Sequence, residues 1–253
     1  MDLGLGGKKA IVTGGSRGIG RAIAALLAEE GCDIAICARG KAGVETGLAG
    51  LRAAGATADG GTVDVADTAA LRRWVAQAAG ELGGLDIFIA NVSALAQAMD
   101  EESWRKSLDI DLMGTVAGVE AAIPFLETSS AGAIVVIGTT GAIEIAGAPR
   151  PYASVKAALV PYVKALARNL AAKGVRANMV SPGNVYFEGG VWNLLEKNNP
   201  ELFKVMVVRN PMGRMGTPEE VADAVVFLAS PRASFITGTN LIIDGALTQR
   251  VQF

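Results

Sequence analysis

Apolar residues along this chain fall into two alternating patterns. Runs such as KKAIVT, CDIAICA, LDIFIAN and GAIVVIG are nearly continuous, whereas in GIGRAIAALLAEEG and TAALRRWVAQAAGEL they recur at helical spacing. The first pattern marks buried strands and the second amphipathic helices. The same reading gives a small-residue helix around 41–54, a weaker strand at TADGGTV and a long helical stretch over 100–128. It continues with a helix from about 150 to 173, a strand at VRANMVS and a last strand at NLIID. Asp67 or Thr68 starts the helix after TADGGTV, and Gly31 ends the first helix. Pro161 lies inside the 150–173 helix, where a missing backbone donor predicts a local kink. Seven strands alternating with helices need crossover connections, so the strands are expected to be mostly parallel. The fold class is α/β: a doubly wound sheet with helices on both faces.

One segment breaks the rhythm. Residues 184–216, NVYFEGGVWNLLEKNNPELFKVMVVRNPMGRMG, are long, partly aromatic and bounded by glycine or proline. They read as an insertion with one or two short helices over the mouth of the sheet. It either covers the core or forms a lid on a ligand, and its place after a strand's carboxyl end favours the lid.

Composition narrows the function. A length of 253 residues suits one large α/β domain spanning 1–253. Charges and glycines interrupt the apolar residues too often for a membrane-spanning helix. MDLGLGGKKAIVTGG has no charged-then-apolar leader, which suggests a cytoplasmic protein. A net charge of −2 leaves no basic footprint for nucleic acid or a membrane surface. Cys32 and Cys37 make neither a disulfide framework nor a zinc spacing, and no metal is expected. The chain has no histidine, so proton transfer falls to Tyr, Lys, Asp, Glu or water.

TGGSRGIG, residues 13–20, joins the first strand to the first helix. Gly14 allows the sharp turn, Gly18 lets backbone approach a phosphate, and Gly20 lets helix and strand pack closely. Ser16, Arg17 and Ile19 lie among them. An NAD site has an acid near the end of the second strand. Here that position is Ala38, followed by Arg39. Arg39 and Arg17 suit the extra 2′-phosphate, so NADP(H) is expected ahead of NAD(H).

PYASVKAALVPY, residues 151–162, puts Lys156 four places after Tyr152, on the same helical face, while Tyr162 has no such partner. Pro151 suits the first helical position. With the glycine loop upstream, this pair makes the chain resemble the short-chain dehydrogenases/reductases over essentially its whole length, closest to the ketoacyl-carrier-protein-reductase-like branch. The resemblance implies a single-domain Rossmann-type fold. Asp64–Val65 is similar to the family's adenine-contacting turn, and Asn91 to the end of its fourth strand. SPG at 181–183, with Pro182, Gly183 and nearby Val185, fits the stretch beside the nicotinamide. GRMGTPEEVADAVVFLAS and TGTNLIIDGA look like its last helix and strand.

Two positions depart from that family's pattern. Thr139, with Thr140 beside it, stands where the family has its catalytic serine; its hydroxyl can donate and accept in the same way. Asp111 stands where the family has an asparagine said to support a water and the lysine. It serves in a proton relay or is only a local helix residue.

The resemblance implies reversible hydride transfer between NADP(H) and a ketone or secondary alcohol. Tyr152 gives the proton, Thr139 holds the carbonyl oxygen, and Lys156 holds the cofactor ribose. The lysine cation is expected to lower the phenol from its ordinary value of about 10. Tyr186, Phe187, Trp192, Leu194, Leu195 and Phe203 are enough to line an apolar pocket. A β-ketoacyl thioester, a keto ester and a cyclic or aromatic ketone all remain open. Arg150 reaches an anionic substrate or a neighbouring subunit, or is a plain surface charge. By analogy the chain forms a homotetramer or homodimer through 100–128 and 150–173. Two rivals stand beside this reading: an NAD-dependent alcohol dehydrogenase of the same fold, and a catalytically impaired NADP(H)-binding sensor.

Overall fold

The computed structural model describes residues 2–145 and 149–251; residues 1, 146–148, 252 and 253 lie outside the described set. The first half of the chain runs β1 (Lys9–Thr13), α1 (Gly18–Glu29), β2 (Asp33–Ala38), α2 (Lys41–Ala53), β3 (Ala58–Thr62), α3 (Thr68–Glu81) and β4 (Ile87–Ala90). It continues with α4 (Glu101–Ser107), α5 (Gly114–Leu126), β5 (Ala133–Ile137), α6 (Pro151–Ala157), α7 (Leu159–Leu170) and β6 (Arg176–Pro182). Last come α8 (Val191–Asn198), α9 (Pro200–Val208), α10 (Pro218–Ala229) and β7 (Asn240–Ile243).

The seven strands form one sheet in the order β3-β2-β1-β4-β5-β6-β7, and every neighbouring pair is parallel. Successive side chains on a strand point to opposite faces. Ile11 and Phe88 therefore join one core with α3, α5 and α7, while Val12 and Ile89 join a second core with α1, α2 and α10. Both faces are covered by helices, which is why the central strands are apolar without alternation. The strand order reverses at β1, whose neighbours are β2 and β4, and this opens a crevice at the carboxyl ends.

Local signals explain several boundaries. Asp67 caps α3 by accepting from the Ala70 N–H at 2.9 Å. Thr217 and Glu220 make a reciprocal capping box on α10, with Pro218 in its first turn. Gly174, at φ +76°, closes the short turn after α7.

Two long helices expected from the sequence are not continuous. The 100–128 stretch is α4, then a π-helical turn over Leu108–Met113, then α5. The wider turn carries Asp111, which is fully buried, and Thr115 Oγ1 donates to the Asp111 carbonyl at 2.8 Å. The 150–173 helix is interrupted at Ala158. Pro161 has no N–H to give the Ala157 carbonyl, so the bond that would span the break is missing. The proline thus marks an interruption between α6 and α7 rather than a bend in one helix. In 184–216 the chain forms α8 and α9, and backbone bonds between Tyr186 and Gly216 (2.9 Å) and between Gly216 and Asn184 (2.9 Å) tie the ends of this segment together.

Candidate functional site

The carboxyl ends of the strands open into a cavity of about 460 Å³. Its floor is the β1–α1 loop. Gly14 at φ +69° and Gly18 at φ +53° adopt left-handed backbone that favours glycine. A Cβ on Gly20 would collide with the Gly14 carbonyl oxygen and the Asn91 amide. Asn91 explains this crowding: its Nδ2 donates to the carbonyls of Thr13 and Gly14, each at 3.2 Å. The asparagine at the end of β4 therefore clamps the glycine loop, while also lining the cavity. Arg17, the residue before α1, makes no side-chain cap, so no side chain of the turn takes up the helix's first N–H groups.

Arg17 and Arg39 are both exposed and line the same cavity, with no acid paired to either among the described residues. Ser16, Ile19, Asp64, Val65, Pro182, Gly183 and Val185 also line it. Of the residues expected to bind the cofactor or serve in catalysis, Gly18 and Asp111 do not reach the cavity wall. Gly18 lies beneath the Phe187 ring, and Asp111 lies behind Lys156. A crevice at the strand switch point, a glycine turn that excludes side chains, uncapped helix N–H groups and two unpaired guanidiniums together fit a phosphorylated dinucleotide.

Tyr152 and Lys156 both project from α6, one turn apart. Tyr152 is half-buried, and both it and Thr139 line the cavity. Thr139 Oγ1 also accepts from the Gly141 N–H at 3.2 Å. Thr140 is buried and does not line the cavity, whereas Thr139 does.

The Lys156 ammonium does not do to Tyr152 what the sequence suggests. It donates to the Ile137 carbonyl at 2.9 Å and to the Val92 carbonyl at 3.5 Å, and stands 3.6 Å from Asp111 Oδ1. Both members of this ion pair are almost wholly buried. Desolvation pushes the Asp111 carboxyl up and the Lys156 ammonium down, and each partner opposes the other's shift. The Tyr152 phenol is pushed up to about 12, first by desolvation and also by the Asp111 charge, while the Thr139 hydroxyl pulls the other way. The expected lowering by lysine is therefore corrected: Asp111 and two carbonyls hold the cation, and the phenol keeps its proton at neutral pH.

Asp111 has another feature. Its Oδ2 accepts from the Ala94 N–H at 3.3 Å, yet its buried Oδ1 has no hydrogen-bond donor. That oxygen faces the Lys156 ammonium at 3.6 Å.

The pocket wall differs from the one expected. Phe187 and Trp192 line the cavity, joined by Ser93, Leu95 and Val191. Tyr186 and Phe203 instead pack on each other, with ring centroids 5.8 Å apart, and Leu194 is exposed. Ser93 and Leu95 carry no sequence signal beyond lying after a strand's end, although Leu95 adopts φ +49°. Arg150 bonds to Gln97 at 3.1 Å and is exposed. Tyr162 packs among the α3, α5 and α7 side chains, where burial pushes its phenol up to about 12. Both cysteines are buried, and desolvation pushes their thiols up to about 12. Among the described residues no cluster of potential metal ligands occurs, and no helix is long and apolar enough to cross a membrane.

Comparisons with known proteins agree with this geometry. Residues 14–248 match the family described as enoyl-(acyl carrier protein) reductase. The chain is 39% identical to an isoepoxydon dehydrogenase of Penicillium expansum over 100% of this chain and 99% of the relative. It is 33% identical to a 3-oxoacyl-[acyl-carrier-protein] reductase of Vibrio cholerae, over 97% and 99% of the two chains. A short-chain dehydrogenase of Burkholderia cenocepacia, solved in complex with NADP, superposes with a TM-score of 0.86 at 32% identity, covering 96% of this chain and 98% of that one.

Proposed function

The chain belongs to the short-chain dehydrogenase/reductase family, and we propose that within it the protein is an NADPH-dependent ketone reductase. It is an oxidoreductase of the secondary-alcohol/ketone class. The observation that carries the finer reading is the pair of hydroxyl side chains, Tyr152 and Thr139, lining one cavity that also holds Arg17 and Arg39.

The nicotinamide, when bound, supplies or accepts the hydride at the substrate carbon. The protein's own residues do the rest. Thr139 donates a hydrogen bond to the carbonyl oxygen, orienting it. Tyr152, protonated at neutral pH, passes its proton to that oxygen as negative charge develops. Lys156 is held behind the phenol, and Asp111 stands behind the lysine as the next proton station. Leu95, Phe187, Val191 and Trp192 give an apolar wall that suits a ketone of moderate size. The whole chain serves as one catalytic unit, with 184–216 closing over the substrate side.

The test is NADPH oxidation against a panel of β-ketoacyl thioesters, keto esters and cyclic ketones, with NADH alongside. Consumption with at least one ketone, and a preference for NADPH, is expected. Tight NADPH binding with no turnover across the panel would instead indicate a sensor. Arg39→Asp is expected to raise the KM for NADPH about tenfold or more, by losing a forked bond to the 2′-phosphate, while sparing NADH. Equal effects on both cofactors would show that Arg39 does not face that phosphate.

Asp111→Asn gives a second readout. The carboxylate raises the Tyr152 phenol, so removing its charge lets the phenol ionise at lower pH. Alcohol oxidation needs the ionised phenol, and its pH profile should move to lower pH in the variant. An unmoved profile would mean that the buried carboxylate does not reach the phenol electrostatically.

A further inference from the structure

Gly18 lacks a side chain where the fold needs backbone to approach a dinucleotide's diphosphate. The space that its Cβ would enter is filled by Phe187. An ideal Cβ there would lie 2.6 Å from Cζ, 2.7 Å from Cε2 and 3.0 Å from Cε1 of that ring. The ring tip therefore rests in van der Waals contact with the Gly18 backbone, at the first turn of α1. A phenyl edge offers no donor to an anion, and nothing the size of a phosphate fits between surfaces already touching.

The geometry points to Phe187 as a gate on the diphosphate seat, which must swing away before the dinucleotide docks. The inference rests on the dinucleotide-binding reading above and adds to it a conformational step.

The surroundings suit a side chain that moves on fixed hinges. Upstream, Val185 bridges to Gly216, and the Tyr186 N–H donates to the Gly216 carbonyl at 2.9 Å. The Tyr186 phenol is held by Asn193 at 2.8 Å and donates to Glu196, both on α8. Downstream, Gly189 at φ +72° and Gly190 follow within three residues. A Cβ on Gly190 would meet the Phe187 ring at 3.0 Å, so glycine there leaves room for the ring beside the turn. The ring itself is held by contact alone, whereas the backbone on each side is hydrogen-bonded. Val191 and Trp192 begin α8 directly after the glycine pair and line the same cavity. Swinging Phe187 out would thus disturb the substrate wall, linking cofactor entry to the shape of the pocket.

Stopped-flow mixing of wild-type protein with rising NADPH, followed by nucleotide fluorescence, tests the gate apart from catalysis. In wild type the observed binding rate should rise linearly with a slope reduced to the open fraction, because a side-chain swing re-equilibrates faster than mixing. In Phe187→Ala the slope should be about fivefold or more steeper, and the NADPH dissociation constant should fall by a similar factor, because no closed population has to open. Phe187→Leu, which keeps an apolar side chain in the lid but shortens it, should shift both quantities in the same direction, and thermal melts establish that each variant is folded. Variants that bind NADPH no faster and no tighter than wild type would overturn the gate. No NADPH signal from wild type at any concentration would overturn the dinucleotide reading itself, and the gate with it.

Discussion

Tyr152→Phe is expected to cut ketone turnover by about a hundred- to ten-thousandfold, the usual worth of a general acid, while NADPH affinity changes little. The substitution removes one oxygen and keeps the ring, so α6 and the cavity wall should stay in place. Burial already holds the phenol's proton to about pH 12, which makes Tyr152 a standing proton donor throughout the neutral range. Thr139 lines the same cavity, but a threonine hydroxyl is far too weak an acid to replace the phenol. Steady-state kinetics and a fluorescence titration of NADPH on the same preparation separate the two effects. A fall in kcat with an unchanged dissociation constant identifies loss of the proton donor. A variant with turnover near that of wild type would remove Tyr152 from the chemistry.

The second large effect is expected at Gly20. A single methyl there collides with the Gly14 carbonyl and the Asn91 amide, neither of which is the free end of a flexible chain. Asn91 holds its position through two bonds to the loop and one from its own N–H to Thr13 Oγ1 at 3.1 Å. Gly20→Ala must therefore push the loop away from β4 or break the clamp. Overpacking of this kind costs about 1–3 kcal/mol. For a chain of this size that lowers the melting temperature by roughly 2–12 °C. The displaced loop no longer presents its N–H groups, so NADPH affinity should fall by more than about tenfold. Differential scanning calorimetry and the same fluorescence titration measure both. Full stability together with full affinity in Gly20→Ala would show that the loop is looser than its contacts imply.

Much of this arrangement was legible in the sequence because its causes are local. The near-continuous apolar runs at β1, β4 and β5 follow from burial on both faces, and the glycine spacing of 13–20 follows from a turn that admits no Cβ. The spacing of Tyr152 and Lys156 correctly put them one turn apart on a helix. What it could not show was where the ammonium points. That depends on the π-helical turn at Leu108–Met113, which carries Asp111 into the interior, and on the Ile137 and Val92 carbonyls at the ends of distant strands. The residues of the π turn, LDIDLM, have ordinary helical spacing, so nothing local distinguishes them from an α-helix. Phe187 is a similar case. Its apolar character placed it in a pocket wall, but only the fold sets its ring against Gly18, 169 positions earlier in a sequence of 253. Asn91 read as a cofactor contact, whereas its amide is committed to the loop that makes the contact possible.

The most direct measurement is the pH dependence of ketone reduction by wild-type protein at saturating NADPH, set against the same profile for Tyr152→Phe. A phenol raised above its ordinary value is fully protonated below it, so its proton is lost only as pH rises toward about 12. Wild-type reduction should accordingly stay level through neutrality and decline only in strongly alkaline solution, while the variant retains a small, level residue. A wild-type rate that drops tenfold per pH unit across neutrality would contradict a phenol held protonated to about pH 12, and a variant profile that overlays the wild type would contradict proton donation by Tyr152.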